Sequence, residues 1–344
     1  MGKKPHLSMA DVDALTFEDG CLFHDIRGRA HEAPTPLAPL ADTHGHLGSL
    51  EDHDAALSLA RAALAGVRLL VCPIDPAFAH EFPDTWKDPQ ALEAWFGKTI
   101  AKAREYLERF AECGLVPPTF VGAYENVSEL LENVFVIAGA HPYSAADFDD
   151  DARARMERLL VCERTLGVGE IGLDFGPYCE VCEEAQVRAF RAQLRMAHEH
   201  RLPVELHLRD GEGNTHAHDV AQTILEQEGV PEAGCDLHCF TDDAEVMAPF
   251  VELGCYVAFG GAVTFKRSED IRSAALACPS AQILSETDAP YMAPEPLRGS
   301  ECEPAMVAFS AELLARIRAE AGVASKQETY DALWVNARRL CGLD

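Results

Sequence analysis

The stretch Leu40-Ala41-Asp42-Thr43-His44-Gly45-His46 sets a short strand-like run directly before two histidines. Five later fragments repeat this pattern, in which a possible metal ligand stands where a β-strand should end. They are Gly139-Ala140-His141-Pro142, Gly169-Glu170-Ile171-Gly172-Leu173-Asp174, His207-Leu208-Arg209-Asp210, His238-Cys239-Phe240 and Glu286-Thr287-Asp288-Ala289-Pro290. Because the fragments share this position behind strand-like runs, they predict one metal centre assembled from distant parts of the chain.

After residue 40 the chain alternates short strand-like runs with longer helical patterns. Glu183–His200 shows the helical pattern, since apolar residues recur there at intervals of three and four. Strands that alternate with helices pair in parallel through crossover connections. Eight such units predict an α/β fold of the closed (β/α)8 TIM-barrel type. The predicted strands are Leu40–His44, Val67–Cys72, Val134–Ala138, Leu166–Ile171, Pro203–His207, Cys235–Cys239, Cys255–Phe259 and Gln282–Glu286.

The alternative fold is an open doubly wound sheet. Such a sheet should carry a glycine-rich phosphate-binding turn after its first strand. His44-Gly45-His46 occupies that place, so the sequence favours the barrel.

The domain division predicted from these patterns is an N-terminal extension over residues 1–40 and a barrel domain over residues 41–344. The stretch 75–127 is too long for one crossover and reads as an insertion after the second strand, with a helix at Gln90–Cys113. Because it leaves the carboxyl end of that strand, we expect it to cover the catalytic face. Two closing helices are predicted at Glu303–Ala321 and Lys326–Cys341.

Composition is that of a soluble globular protein, with 48% hydrophobic and 25% charged residues in a chain of 344. No apolar run reaches the roughly 20 residues that a membrane helix needs. Acidic residues follow Lys3 and Lys4 where a signal peptide would be apolar. We therefore expect a cytoplasmic protein with no membrane partner.

The net charge of −28 disfavours the broad basic surface of a nonspecific nucleic-acid binder. Phosphate chemistry at one local site remains open, because divalent cations can reverse the potential there.

The twelve cysteines are expected to be reduced thiols in a long chain without an export signal. Cys179 and Cys182 form an isolated CxxC pair, which is a weak signal for zinc or redox chemistry. We interpret the pair as a loop feature after the fourth strand. His216 and His218, which open the next helix, are expected to face solvent.

The strand-end residues have the chemistry of a metal site. His44 and His46 stand two apart, so both side chains point to one face, where two imidazoles can share a cation. Glu170 has two carboxylate oxygens that can bridge two cations. His207 and His238 each end a predicted strand and should point into the same mouth.

Asp288 follows the last predicted strand, where it can bind a metal and accept a proton from the attacking water. Three further residues are interpreted as substrate-binding or supporting groups. Arg209 offers a planar fork for phosphate or carboxylate, and His141 can hydrogen-bond a leaving group or a phosphate oxygen. Asp174 can position a ligand histidine or a water. For each of these three, a structural salt bridge is the alternative.

With these motifs the chain resembles the TatD family of metal-dependent deoxyribonucleases, in the amidohydrolase superfamily. The resemblance runs from about Ala41 to Leu343 and is interrupted by the insertion. Its most specific stretches are Asp42-Thr43-His44-Gly45-His46-Leu47, Gly169-Glu170-Ile171-Gly172-Leu173-Asp174, Leu202-Pro203-Val204 leading into His207, Gly260-Gly261-Ala262-Val263-Thr264-Phe265-Lys266 and Glu286-Thr287-Asp288-Ala289-Pro290-Tyr291-Met292-Ala293-Pro294. The closing stretch Asn336-Ala337-Arg338-Arg339-Leu340 also fits.

The resemblance implies a TIM-barrel hydrolase with two or three divalent metal ions, Mg²⁺, Mn²⁺ or Zn²⁺. By matching position, one metal would be held by His44, His46, Glu170 and Asp288. The second would be held by Glu170, His207 and His238, with Glu170 bridging. The chain departs from the family pattern at Leu208, where serine is usual, and at His238-Cys239-Phe240-Thr241-Asp242, where the family commonly has His-Ser-Phe-Ser-Gly.

The leading hypothesis is a metal-dependent phosphodiester hydrolase of the 3′–5′ exonuclease type, with water activated by the metals and Asp288 as proton acceptor. Its substrate would be a single-stranded nucleic-acid end or a small phosphodiester. The same metals could instead hydrolyse a small-molecule ester, amide or lactone. A third hypothesis is a non-catalytic metal-binding protein.

Overall fold

The structure, a computed structural model, describes residues 6–77 and 88–343. It begins with helix α1 (Met9–Asp19) and a short antiparallel pair, β1 (Phe23–His24) and β2 (Ala30–His31). Ser8 starts α1 with a capping box, in which its hydroxyl accepts from the Asp11 backbone and the Asp11 side chain accepts in return. These elements form most of the described part of the predicted N-terminal extension. The boundary at residue 40 stays a prediction.

Eight parallel strands follow and lie side by side in chain order. Each of the eight predicted strands overlaps one of them, so the predicted α/β barrel is confirmed. The strands are β3 (Leu40–Asp42), β4 (Val67–Ile74), β5 (Val134–Ala138), β6 (Thr165–Asp174), β7 (Val204–Arg209), β8 (Cys235–Leu237), β9 (Tyr256–Phe259) and β10 (Ile283–Ser285).

Backbone hydrogen bonds bring the last strand back to the first. The Thr43 amide donates to the Ser285 carbonyl (3.3 Å), and the Asp288 amide donates to the His44 carbonyl (2.9 Å). Asp42 adds a side-chain link, because it accepts from the backbone and hydroxyl of Thr287 at 2.8 and 2.7 Å. The ends of β3 and β10 are therefore held together where the ligand candidates stand.

Helices surround the sheet and connect its strands. They are α2 (Ala55–Ala65), α3 (Pro89–Glu112), α4 (Asp150–Leu160), α5 (Glu183–His200), α6 (His216–Glu228), α7 (Ala244–Glu252), α8 (Glu269–Ala277), α9 (Val307–Glu320) and α10 (Lys326–Leu340). The closing helices α9 and α10 lie within a few residues of their predicted bounds. In the part of the chain that the structure describes, no helix has both the length and the apolarity needed to cross a membrane.

Helix α3 of the insertion matches the predicted helix at Gln90–Cys113 but lies elsewhere than expected. It packs against α2 on the outside of the barrel. Near its start, Glu93 pairs with Arg164 at 2.8 Å, and Arg164 directly precedes β6 at the amino-terminal end of the strands. The expectation that this helix covers the catalytic face is therefore wrong, because that end of the strands is opposite to the mouth. Residues 78–87 of the insertion lie outside the described residues.

A buried arginine helps to attach the extension to the barrel. Arg61 of α2 pairs with Glu303 at 2.8 Å, and both side chains are buried. Its guanidinium also donates to the Thr16 hydroxyl (2.8 Å) and the Leu22 carbonyl (2.6 Å). A buried guanidinium needs several acceptors, and the extension supplies two of them.

Candidate metal centre

The carboxyl ends of five barrel strands bring the six predicted ligands into one pocket, as parallel pairing in a barrel requires. Three of them, His46, His207 and Asp288, keep a partly accessible side chain, whereas His44 is completely buried. The ligands are His44 and His46 after β3, Glu170 within β6, His207 within β7, His238 after β8 and Asp288 after β10.

The first cluster consists of His44, His46, Asp288 and one oxygen of Glu170. Nε2 of His44 and Nε2 of His46 lie 2.9 Å apart. Each of these nitrogens is 3.7 Å from Asp288 Oδ1 and 3.8 Å from Glu170 Oε2. Four potential ligand atoms therefore face one small volume.

The second cluster uses the other oxygen of Glu170. Glu170 Oε1 is 3.0 Å from His207 Nδ1 and 2.9 Å from His238 Nε2. The two ring nitrogens are themselves 3.2 Å apart. Each oxygen of Glu170 thus faces a different set of histidines, which is the geometry that a bridging carboxylate needs.

Both clusters fit a divalent metal by the chemistry of their donors. Imidazole nitrogens and carboxylate oxygens bind Zn²⁺ and similar ions at about 2.0–2.2 Å, so donors of one ion lie roughly 3 to 4 Å from one another. The distances within each cluster fall in or just below this range.

Two carboxylates orient the histidines from behind. Nδ1 of His44 donates to Glu205 Oε1 at 2.6 Å, which leaves Nε2 facing the first cluster. Nε2 of His207 donates to Asp174 Oδ2 at 3.1 Å, which leaves Nδ1 facing the second. Carboxylates in this position fix the tautomer and the ring orientation of metal-binding histidines.

Burial sets the protonation of the first cluster. It lowers the pKa of His44 to about 4 and that of His46 to about 4. Burial alone would raise the pKa of Glu170, but the neighbouring histidines, His238 foremost, hold it well below its ordinary value. The first cluster therefore offers neutral imidazoles and an ionised carboxylate, which are the forms that bind metals.

His207 differs from the other histidines. Burial would lower its pKa, but hydrogen bonds with Asp174 and Glu170 raise the pKa to about 9. Without a metal, His207 thus supplies the positive charge between two carboxylates. Burial raises the pKa of the Asp288 carboxyl, so this group holds a proton more readily than an exposed aspartate.

A layer of buried carboxyl groups lies beneath the ligands and was not predicted. Asp42, Glu205, Asp236 and Glu286 each stand two positions before a predicted ligand, and alternation along a strand directs both members of such a pair to one face. Burial raises the pKa of Asp42 to about 8 and the pKa values of the other three well above their ordinary range. The spacing of two was the sequence signal that could have identified them.

The three predicted substrate residues take different positions. His141 Nε2 lies 3.7 Å from Glu170 Oε1, beside the second cluster. Arg209 is exposed at the mouth, with its guanidinium 5.6 Å from the centre of the Tyr178 ring. Asp174 is only 1% exposed. Its position fits support of His207 better than contact with a substrate.

The loop after β6 carries the CxxC pair as two free thiols. The Cys179 sulfur accepts from the Gln186 side chain at 3.4 Å, and Cys182 precedes α5. This placement agrees with the interpretation of the pair as a loop feature. The expectation that His218 faces solvent is wrong, because His218 is buried and its Nδ1 lies 2.6 Å from Asp210 Oδ2.

Comparison with known proteins places the chain in a family. The family described as "TatD related DNase" matches residues 41–342. The uncharacterized metal-dependent hydrolase YcfH of Escherichia coli (strain K12) is 35% identical over 260 residues, 75% of this chain and 92% of YcfH. A protein named 3′-5′ ssDNA/RNA exonuclease TatD, from Shigella flexneri serotype 5b (strain 8401), is 36% identical over 161 residues, 46% of this chain and 59% of that protein.

A solved structure extends the likeness to the fold. The crystal structure of YjjV, a TatD homologue from Escherichia coli K12, superposes with a TM-score of 0.63 at 25% sequence identity. The match covers 88% of this chain and 97% of YjjV. Sequence and fold agree: the chain belongs to the TatD related DNase family of metal-dependent hydrolases.

Proposed function

We propose that the chain removes nucleotides from the 3′ end of single-stranded nucleic acid by hydrolysing phosphodiester bonds. One observation carries the proposal: the two oxygens of Glu170 face two separate clusters of metal-binding side chains. Paired metal sites bridged by one group are typical of enzymes that cleave phosphate esters. The relative named as a 3′-5′ ssDNA/RNA exonuclease supports the choice of substrate and direction.

Two divalent cations, Mg²⁺, Mn²⁺ or Zn²⁺, would be held by the clusters described above. When bound, such ions lower the pKa of water and neutralise charge on phosphoryl oxygens. His44, His46, Glu170 and Asp288 would hold the first ion. Glu170, His207 and His238 would hold the second, and His141 lies close enough to add a further contact there.

The chain's own residues have separate tasks in this reaction. Asp288 accepts the proton of the attacking water through the oxygen that does not face His44 and His46, and its burial-raised pKa favours proton uptake. Arg209 binds a non-bridging phosphate oxygen at the exposed edge of the mouth. His141, whose pKa burial lowers to about 3, is neutral and can hydrogen-bond the phosphoryl group or the leaving oxygen.

The test is hydrolysis of 5′-labelled single-stranded oligonucleotides, of DNA and of RNA, after stripping with chelator and reloading with each metal. The proposal expects a ladder that shortens from the 3′ end and no product before reloading. An oligonucleotide with a blocked 3′ end is the matched control and should persist. Turnover of carboxyl esters or lactones without any cleavage of nucleic acid would contradict the proposed substrate. The assignment of the chain as a metal-dependent hydrolase would not be affected.

A further inference from the structure

The tyrosines of this chain are distributed unevenly between interior and mouth. All seven lie in the described residues, and three of them are exposed: Tyr143 (38%), Tyr178 (74%) and Tyr291 (60%). Each follows within four residues of a site residue at the end of a barrel strand, after His141, Asp174 and Asp288 respectively. Every exposed tyrosine therefore lies at the mouth of the barrel.

The three rings flank the two metal clusters on different sides. The Tyr291 ring lies 6.3 Å from the ring of His46, beside the first cluster. The Tyr143 ring lies 4.6 Å from the ring of His141, beside the second cluster. Tyr178 follows the strand that carries Glu170, and its ring lies beneath the Arg209 guanidinium. A chain whose scissile phosphate lies over Glu170 would pass an aromatic ring in each direction.

Charge explains why bases, more than the phosphates outside the metal centre, would contribute to the binding of a strand. With a net charge of −28 it gains little from the sequence-independent neutralisation of phosphates that most nucleic-acid binders use. Stacking of bases on aromatic rings does not depend on net charge, and it accepts any base because every base has a π-face. The Arg209 guanidinium over Tyr178 strengthens such a site by a cation–π contact.

We propose that Tyr143, Tyr178 and Tyr291 form a tyrosine rim that stacks the bases on either side of the scissile phosphate. The inference rests on the proposed nucleic-acid hydrolysis and adds the part of the substrate that is recognised. The rim selects a strand whose bases are unpaired, and it is indifferent to base identity. Bases in a duplex are already stacked on their neighbours, so they cannot enter the rim without unpairing.

The experiment compares two substrates of equal length and equal phosphate number. One is a single-stranded oligonucleotide with bases throughout, and the other carries abasic residues at its last three positions. Hydrolysis with added Mn²⁺ gives KM and kcat for each. Equilibrium binding of both strands in chelator measures stacking without hydrolysis.

The variants are Tyr143→Leu, Tyr178→Leu and Tyr291→Leu, each paired with the phenylalanine variant that keeps the ring. Val161→Ala is the control, because Val161 is exposed to 72% but lies at the end of α4, away from the mouth. Metal content and melting temperature are measured for every variant. Those readouts show that the metal centre and the fold persist.

We expect the wild-type protein to bind the strand with bases more tightly than the abasic strand. Each leucine variant should lose about five- to 150-fold in affinity for the strand with bases, which corresponds to the free energy of one base stacked on an aromatic ring. The same variants should treat the abasic strand as wild type does, and the phenylalanine variants should keep the preference. Equal affinity of wild type for both strands, or equal losses on both strands, would contradict the rim. If the protein binds the strand with bases more tightly than the abasic strand but hydrolyses neither, the proposed function is refuted and the tyrosine rim is still supported.

Discussion

Glu170 is the residue on which both clusters depend. Its backbone belongs to β6, so the carboxylate is fixed by a strand and not by a loop. One oxygen faces His44 and His46, and the other faces His207 and His238. A group with two equivalent oxygens and a full negative charge is needed in this position, since an amide offers one good ligand oxygen and no charge.

Glu170→Gln should therefore lower metal content and turnover together. We expect the variant to hold fewer than two metals per chain and to lose about 100-fold or more in kcat, beyond the 10- to 100-fold typical of residues that only support ligands. Metal analysis after dialysis and initial rates on the labelled strand measure both quantities. Glu180→Gln is the matched control, because Glu180 is exposed in the loop after β6. Full turnover in Glu170→Gln would exclude the bridging role.

Asp174→Asn tests the support given to one histidine. Asp174 accepts from His207 at 3.1 Å and is buried, so the amide should leave the fold intact but hold the ring less firmly. We expect metal affinity of one site to fall by about 10- to 100-fold, with the other site unchanged. Calorimetric titration of the stripped protein separates the two sites. Unchanged affinity accompanied by a higher KM would instead assign Asp174 to the substrate.

The convergence of the candidate ligands could be predicted because each stands at or near the end of a strand that the sequence pattern predicts. Histidines and carboxylates in that position have few other uses in an apolar setting. The buried carboxyls Asp42, Glu205, Asp236 and Glu286 escaped prediction because a charged residue inside a strand reads as an outward-facing position. Only pairing each with the ligand two residues later shows that both share the inner face.

At the scale of elements, the least predictable part is the path of the insertion. The bounds of α3 follow from local signals, since Asp88 caps the helix and Pro89 occupies its first turn. Its position depends on partners that are distant in sequence, such as Arg164 for Glu93. The existence of α3 can therefore be predicted from the sequence, whereas its packing position depends on surfaces that form only when the barrel folds.

Arg61 provides a test of how the extension is attached. Arg61→Met removes the partner of the buried Glu303 and two bonds to the extension, so we expect a loss of about 3–5 kcal/mol in the free energy of unfolding. Urea denaturation followed by circular dichroism measures it.

The double variant Arg61→Met with Glu303→Leu should recover part of the loss, because no buried charge is then left unpaired. Arg316→Met is the matched control, since Arg316 is half exposed and pairs with an exposed Glu320. A loss below about 1 kcal/mol for Arg61→Met would mean that the buried pair contributes little.

The whole molecule combines a strongly acidic chain with a proposed site for nucleic acid, which is a polyanion. A negative surface draws divalent cations towards the mouth, and the cations then make the centre attractive to phosphate. The exposed cation of Arg209 acts locally, within about one Debye length of 8–10 Å. The protein should therefore bind nucleic acid at a short end segment and not along its length.

This charge distribution predicts a weak dependence on salt. A nuclease that neutralises 6–10 phosphates loses about 10³–10⁵ in affinity between 50 and 200 mM salt. In the proposed complex few cationic side chains would contact the strand, and added salt would also screen the repulsion of the strand from the acidic surface. We expect kcat/KM on the single strand to change by less than about tenfold over that range, well short of the loss shown by such a nuclease.

Initial rates at fixed Mn²⁺ and rising NaCl measure this dependence, with closed circular duplex as the parallel substrate. The circle has no end and no unpaired bases, and its dense phosphates meet the full repulsion of the chain, so it should stay intact at every salt concentration. A steep loss of activity on the single strand would show extended phosphate contacts. Cleavage of the circle would show that hydrolysis requires neither a strand end nor an unpaired base. That result would contradict the proposal that this acidic protein acts at the ends of single strands.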